Sequence, residues 1–225
     1  MSGGARLALF DLDNTLLSGD TDQLWCAFLI EAGILDRATF AAADRDIAER
    51  YALGTIGAAE FCAFYASTLA GRTAADWMPL RDRFLAAEIA PRLRAAAHAL
   101  VAKHRDAGDT VVLTTATNCF LVEPIAALLG IDAIVATELE GIDGVFTGRN
   151  AGILNMGEGK RVRMHAWLVE HGLDADSLGG AVFYSDSRND LPLLRAVGRP
   201  VAVDPDDGLR AEALAQGWEI LALVR

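Results

Sequence analysis

The sequence of 225 residues is long enough for one large domain, or a core with a smaller insert, and its 52% hydrophobic and 23% charged content is that of a soluble globular protein. Against 20 basic residues stand 31 acidic ones, and the net charge of −11 disfavours non-specific binding to nucleic acid or to an anionic membrane. No window approaches about 18 uninterrupted apolar residues, so no membrane span is expected. Cys26, Cys62 and Cys119 lack a CxxC spacing and read as three buried, reduced thiols. Residues 1–6 lead into a strand of ordinary length with no extended apolar leader, and the cytoplasm is the expected compartment.

In chain order, the apolar run Leu7-Ala8-Leu9-Phe10 predicts a buried parallel strand over residues 7–11. From Asp20 to Glu88 the periodicity is helical. A first helix from Thr21 to Ile30 carries Leu24, Phe28 and Leu29 on one face and stops at Gly33. A second runs from Asp36 through Tyr51 to Gly54. Phe61, Phe64, Tyr65 and Leu69 mark a third over 57–70, and Thr73 caps a fourth that reaches Glu88. Four consecutive helices suit a small bundle packed on its own apolar stripe.

After Pro91 helices and strands alternate. A helix over 92–106 ends at Gly108, strand 110–114 follows, and a helix through Leu129 leads to strand 134–137 and a hairpin around Gly141–Gly144. Helix 160–171, strand 181–184, helix 189–197, strand 200–203 and a helix over 208–216 complete the series. This pattern is that of an α/β protein with a doubly wound, Rossmann-like parallel sheet, the helical block being an insertion after the first strand. No internal repeat, low-complexity tract or flexible linker interrupts it.

Ligand sites in such sheets lie beyond strand carboxyl ends. Asp11 and Asp13 stand there, where a carboxylate pair can serve as nucleophile and acid/base or as half of a metal site. Thr114-Thr115-Ala116-Thr117-Asn118 places hydroxyls and backbone N–H groups at a strand-to-helix turn, a natural anion cradle. Gly157-Glu158-Gly159 precedes Lys160 at a helix start, and Asp186 and Asp190 follow another strand with Ser187 and Asn189 between them. Clustered carboxylates repel one another unless a divalent cation sits among them, and a hard oxygen set suits Mg²⁺.

The order Asp-x-Asp-x-Thr, Thr, Lys, Asp-x-x-x-Asp on such a sheet resembles the haloacid dehalogenase superfamily of aspartyl-phosphate hydrolases over nearly the whole chain. The resemblance implies Asp11 as nucleophile and Asp13 as the acid that protonates the leaving alkoxide and then activates water. It implies Thr115, Ala116, Asp13 and Lys160 around the phosphoryl group. Mg²⁺ would be held by Asp11, the carbonyl of Asp13 and Asp186, with Asp190 supporting directly or through water, and Ser187 and Asn189 would order that loop.

The helical insert and short hairpin resemble the phosphoserine phosphatase subgroup. This implies a core of residues 1–17 and 91–225 and a helical cap of residues 18–90. Ser185-Asp186 stands where many relatives have Gly-Asp, and Thr115-Ala116-Thr117 where phosphoserine phosphatases have Ser-Gly-Gly, which weakens a strict phosphoserine specificity. Asp20 stands where that subgroup has a glutamate facing the substrate's amine. Asp20, with Asp22, is therefore expected to meet a cationic group, against the alternative that Asp20 simply caps the first insert helix.

The segment from Leu16 to Asp22 and the tail from Asp186 to Leu194 also resemble a bacterial branch containing histidinol-phosphate phosphatases. The expected substrate is a small, amine-bearing phosphorylated metabolite, with no nucleic acid or membrane partner. A phosphotransferase with the same intermediate and a non-catalytic binding domain on this fold are the alternatives. Oligomeric state leaves no signature.

Other motifs fail. Gly152 to Lys160 lacks a Walker A, because Glu158 and not Lys follows Gly157. Asp11 to Asn14 lacks the Gly and bidentate Glu of a calcium loop. His98, His104, His165 and His171 have no metal spacing, and Trp25, Trp77, Trp167 and Trp218 read as core anchors.

Overall fold

The computed structural model describes residues 6–223. Its described strands form one sheet in the order β4-β3-β2-β1-β5-β6-β7: β1 (Leu7–Phe10), β2 (Thr110–Asn118), β3 (Ala133–Ile142), β4 (Val145–Ala151), β5 (Val182–Ser185), β6 (Arg199–Val203) and β7 (Glu219–Leu221). All neighbours are parallel except the β3–β4 hairpin. Its two-residue turn sets Asp143 at φ 51° and Gly144 at φ 79°, the double positive φ that joins strands of normal twist.

β1 lies in the middle, with Leu9 facing Val112 of β2 and Phe183 of β5. Its side chains alternate between two cores. Ala8 and Phe10 pack with Trp25, Leu29, Phe84, Val101 and Ile125, while Leu7 and Leu9 pack with Met164, Leu168, Leu193 and Leu209. Both faces of the strand are covered, which is why it reads as an unbroken apolar run. Strand order reverses on either side of β1, so the crevice beyond Phe10 is a topological switch point.

Helices α1 (Thr21–Glu31), α2 (Arg37–Ala52), α3 (Ala58–Ser67) and α4 (Ala74–Phe84) are inserted between β1 and β2. Asp20 and Asp36 cap α1 and α2, and Thr73 with Asp76 forms a capping box on α4. Cys26, Ile47, Phe61, Cys62 and Tyr65 make a third apolar cluster in this insert, closed by Met156 from the core. The two connections run side by side: Ser18 N–H donates to the Arg92 carbonyl (3.0 Å) and Arg94 N–H to that of Leu16 (3.3 Å). The remaining helices are α5 (Ala95–Asp106), α6 (Cys119–Leu129), α7 (Glu158–Glu170), α8 (Leu191–Leu194) and α9 (Asp207–Gln216).

Several expected boundaries move. The fourth insert helix does not continue regularly to Glu88: Leu85–Ile89 form a π-turn and Ala90–Arg92 a 3₁₀ turn, as the chain rewinds before Pro91. β2 runs to Asn118, its register with β3 shifting between Thr115 and Asn118. The helix expected over 189–197 is a 3₁₀ turn at Arg188–Asp190 followed by the single turn of α8, with Pro192 in its first turn. β7 was not expected, being three residues on a sheet edge.

Cys26 and Cys62 are buried and Cys119 is half-buried, and all three are free thiols. Trp25 and Trp77 are buried, whereas Trp167 and Trp218 are only partly so. No described helix is long and apolar enough to cross a membrane.

Candidate active site

Asp11 is the first residue past β1, and its N–H donates to the carbonyl of Tyr184 on β5 (2.9 Å). The sheet therefore fixes the backbone from which its carboxylate projects. Lys160 Nζ donates to Asp11 Oδ1 (2.9 Å) and lies 2.7 Å from Asp190 Oδ1, with its own side chain only 3% exposed. The first turn of α7 delivers this lysine, entered through Gly157 at φ 58°. Gly159 is required there by contact: a Cβ would stand 2.1 Å from the carbonyl oxygen of Leu154. Asp190 also accepts from Ser185 Oγ (2.7 Å), so both its oxygens are engaged.

Asp13 is turned toward threonines. Its carboxylate accepts from Thr21 N–H (2.7 Å), Thr21 Oγ1 (2.5 Å), Thr117 Oγ1 (2.8 Å) and Thr115 Oγ1 (3.4 Å). Thr15 links the first and last motifs: its Oγ1 accepts from Asp186 N–H (3.0 Å) and lies 3.4 Å from Asp11 Oδ2 and 3.3 Å from Asp186 Oδ1. Ser187 Oγ accepts from Asn189 N–H (3.2 Å), and Ser187 N–H donates to Ser185 Oγ (3.2 Å), which orders the loop.

Asp11, Asp13, Thr115, Ala116, Lys160 and Asp190 line one cavity, together with Ser187 and Asn189. Asp20 also lines it, while its Oδ1 accepts from Gln23 N–H (3.0 Å) as the cap of α1. Asp20 thus caps α1 and borders the cavity at once. Asp22 lies elsewhere, 3% exposed, within 3.4 Å of Asn118 Nδ2 and lining a small neighbouring cavity beside Cys62 and Tyr65. Asp22 sits in the first turn of α1, whereas Asp20 precedes that turn in extended conformation, and the two side chains line different cavities.

The charge balance is uneven. Four carboxylates and one ammonium line the cavity among the described residues. Burial raises the Asp11 carboxyl to about 7; Lys160 pulls it down while Asp190 and Asp13 push it up. Burial and then the charge of Asp13 lift Asp20 to about 8. Asp13 is raised by burial against its threonine donors, and Asp186 by burial and then by Asp11 and Asp190. For Lys160, burial favours the neutral form, but Asp11 and Asp190 outweigh it and keep the ammonium charged.

Among the described residues no group of three or more His, Cys, Asp or Glu side chains is gathered for a metal ion. What the chain offers is Asp11 and Asp186, two carboxylates on either side of Thr15, both raised by burial and then by neighbouring carboxylates. Hard oxygen donors with excess negative charge fit Mg²⁺. Asp190 is committed to Lys160 and Ser185, and the Asp13 carboxylate to its threonines.

Tyr51 of α2, Phe61 of α3, Met156 and Thr117 also line the cavity, and sequence reasoning did not single them out. Thr117 lay within the quoted threonine segment. Tyr51 and Phe61 stood at ordinary apolar helix positions, and only the packing of the insert over the strand ends brings them to the site. His104 is no ligand either: it is buried, bridging Asp109 Oδ2 (2.7 Å) and the hydroxyl of Tyr184 (2.9 Å).

A family model for haloacid dehalogenase-like hydrolases matches residues 8–195. The chain is 40% identical over 217 residues to a histidinol-phosphatase of Neisseria meningitidis serogroup C (strain 8013), covering 96% of this chain and 98% of that protein. It is 34% identical over 223 residues to a phosphoserine phosphatase of Mycobacterium tuberculosis, covering 95% of this chain and 69% of that one. Among solved structures, a protein of unknown function from Bordetella pertussis Tohama I superposes with a TM-score of 0.90 at 40% identity, over 98% of this chain and 100% of that chain. With a family model matched over most of its length and a relative 40% identical over nearly the whole of both chains, the chain belongs to the haloacid dehalogenase-like hydrolases.

Proposed function

We propose that this haloacid dehalogenase-type phosphatase hydrolyses a small, amine-bearing phosphate monoester, such as histidinol phosphate or phosphoserine, through a phospho-Asp11 intermediate. The observation that carries the reading is Asp11 itself: a carboxylate at the end of the central strand, 2.9 Å from a buried lysine and sharing a cavity with Asp13. The likeness to a histidinol-phosphatase over nearly the full length of both chains supports the substrate class.

Asp11 attacks phosphorus and the bond from phosphorus to the alkoxide oxygen breaks. Asp13, which lines the cavity beside Asp11, gives a proton to the alkoxide. Water then attacks the phosphoryl group, Asp13 takes the water's proton, and the Asp11–phosphorus bond breaks to release inorganic phosphate. Lys160, the Thr115 hydroxyl and the backbone at Ala116 hold the phosphoryl oxygens, and Asp190 keeps Lys160 aimed at Asp11. Asp11, Asp186 and the carbonyl of Asp13 would hold Mg²⁺, which when bound supplies Lewis-acid neutralisation of charge on the phosphate. Residues 18–90 act as a cap that excludes water and reads the leaving group, over a core of residues 1–17 and 91–225. A small charged metabolite as substrate suits a cytoplasmic enzyme.

The test is phosphate release from a broad panel of phosphorylated metabolites with Mg²⁺ present. Release is expected from amine-bearing esters, and none from Asp11→Asn, which keeps side-chain size and removes the nucleophile. A silent panel refutes the phosphatase reading, and substantial turnover by Asp11→Asn refutes the nucleophile. Adding an alcohol acceptor distinguishes transfer from hydrolysis, because a phosphotransferase forms a new phosphoester.

A further inference from the structure

The insert presents two kinds of surface to the cavity. Asp20 is the acidic part. Tyr51 and Phe61 are the flat part, their ring centroids 4.6 Å apart and tilted by 31°, with Met156 beside them. The opposite sign of charge is scarce: Lys160 is the one basic side chain lining the cavity among the described residues, and Asp11 and Asp190 hold it. Arg50, next to Tyr51 in the chain, is committed to Glu60 (2.6 Å) and Asp46 (3.3 Å). Arg188, beside the Asp186 loop, packs against Gly54 and Gly208 and lies 3.6 Å from Asp206.

A leaving group that carries a carboxylate meets Asp20 and Asp13 in this space, and among the described residues no cation lines the cavity on the insert side. Burying a carboxylate without a partner is strongly unfavourable. A protonated amine instead meets the Asp20 carboxyl at the cavity wall, and the cation favours the ionised form that burial and Asp13 disfavour. A planar ring finds aromatic faces, and a cationic or polarised nitrogen ring gains further from their quadrupoles. Acid and aromatic surface side by side describe one ligand chemistry.

Resting on the phosphatase reading above, we infer that the preferred substrate is a primary phosphate monoester whose alcohol carries a protonated amine and a flat nitrogen heterocycle and lacks a carboxylate, with Asp20 reading the amine and Phe61 and Tyr51 the ring. Histidinol phosphate has all of these features. Phosphoserine has the amine but adds the carboxylate and lacks the ring.

The experiment compares kcat/KM for histidinol phosphate, phosphoethanolamine, phosphoserine and para-nitrophenyl phosphate with the full chain and Mg²⁺. Phosphoethanolamine and phosphoserine differ only by the carboxylate, so their ratio isolates it. The expected order is histidinol phosphate, then phosphoethanolamine, then phosphoserine. Asp20→Asn removes the charge while keeping a residue that caps helices equally well. It is expected to lower the ratio of phosphoethanolamine to para-nitrophenyl phosphate by about ten-fold, as loss of one charge-assisted hydrogen bond requires. Phe61→Leu is expected to lower the ratio of histidinol phosphate to phosphoethanolamine by a similar factor. Ratios of kcat/KM do not depend on the folded fraction, so a destabilised variant still gives an answer. Phosphoserine turned over as well as phosphoethanolamine, or ratios unmoved in both variants, overturns the inference. Phosphate release from none of the four esters overturns the phosphatase reading itself.

Discussion

Replacing Lys160 with methionine removes the ammonium between Asp11 and Asp190 and keeps most of the side chain's length. With separations of 2.9 Å and 2.7 Å, each attraction is about 6 kcal/mol at an effective dielectric of ~20. Desolvating three charges offsets most of that sum, so the loss is set by the carboxylates that the variant strands. Removing one partner of a buried pair costs about 3–5 kcal/mol. The pH dependence has a definite sign. Asp11 titrates near 7 with Lys160 present, against an ordinary carboxylate value of 3.8, and loss of the lysine raises it further. At low pH the stranded carboxyl keeps its proton and the variant is penalised little. As pH rises, the wild type ionises against its lysine, whereas the variant must bury an uncompensated charge, so its deficit grows. Urea unfolding followed by tryptophan fluorescence, with chelator, at about pH 5 and about pH 8, measures this directly. In the Lys160→Met background, Asp190→Asn is expected to recover about 0.5–3 kcal/mol, the coupling typical of contacting groups. A deficit equal at the two pH values, or below about 1 kcal/mol at the higher one, refutes the ion-pair argument.

The excess of carboxylates makes wild-type stability itself pH-dependent: Asp20 holds its proton up to about 8 in the folded chain, so the stability it confers at acid pH is lost as pH rises from its ordinary value toward 8. Asp20→Asn is expected to flatten that part of a urea-midpoint profile, and an unchanged profile refutes the assignment. Mg²⁺ is expected to raise Tm, since a ligand at a hundred times its Kd adds about 2.7 kcal/mol. Asp186→Asn should shrink the shift, and a wild-type Tm indifferent to millimolar Mg²⁺ refutes the donor set. Gly159→Ala forces a methyl toward the Leu154 carbonyl and is expected to cost about 1–3 kcal/mol, so a thermal midpoint equal to wild type contradicts the close approach.

The core was legible because its strands are covered on both faces and its helices end on glycines or begin on acidic caps, signals that act within a few residues. Leu7 to Phe10 could hardly be anything but a central strand, and Asp11 follows from where that strand stops. Lys160 and Asp190 were legible as members of an ordered set, but not as partners, because 30 residues separate them and only the folded chain shows their ion pair. Asp22 stands two residues after Asp20 in sequence, but only the folded chain shows that it meets Asn118 and lines a different cavity. Tyr51 and Phe61 carried no local mark. A residue at an apolar helix position becomes part of a site only when the neighbouring surface is missing, which is a property of tertiary packing. β7 escaped for the related reason that a three-residue edge strand owes its existence to the pairing of Ala202 with Ile220.

The central position of β1 has a cost during biosynthesis. The strand is made before both of its partners, which are Val112 on one side and Phe183 on the other. At about 5–20 residues per second, the interval between translating Phe10 and Val182 is roughly 10–35 s. Throughout that interval a wholly apolar segment, which the finished molecule buries completely, has no native strand to pair with on one edge. The backbone of Asp11 cannot be fixed before β5 arrives, because its N–H donates to the Tyr184 carbonyl. This enzyme therefore fixes Asp11 late, and slow synthesis or a shortage of chaperones should reduce its yield before it affects its turnover.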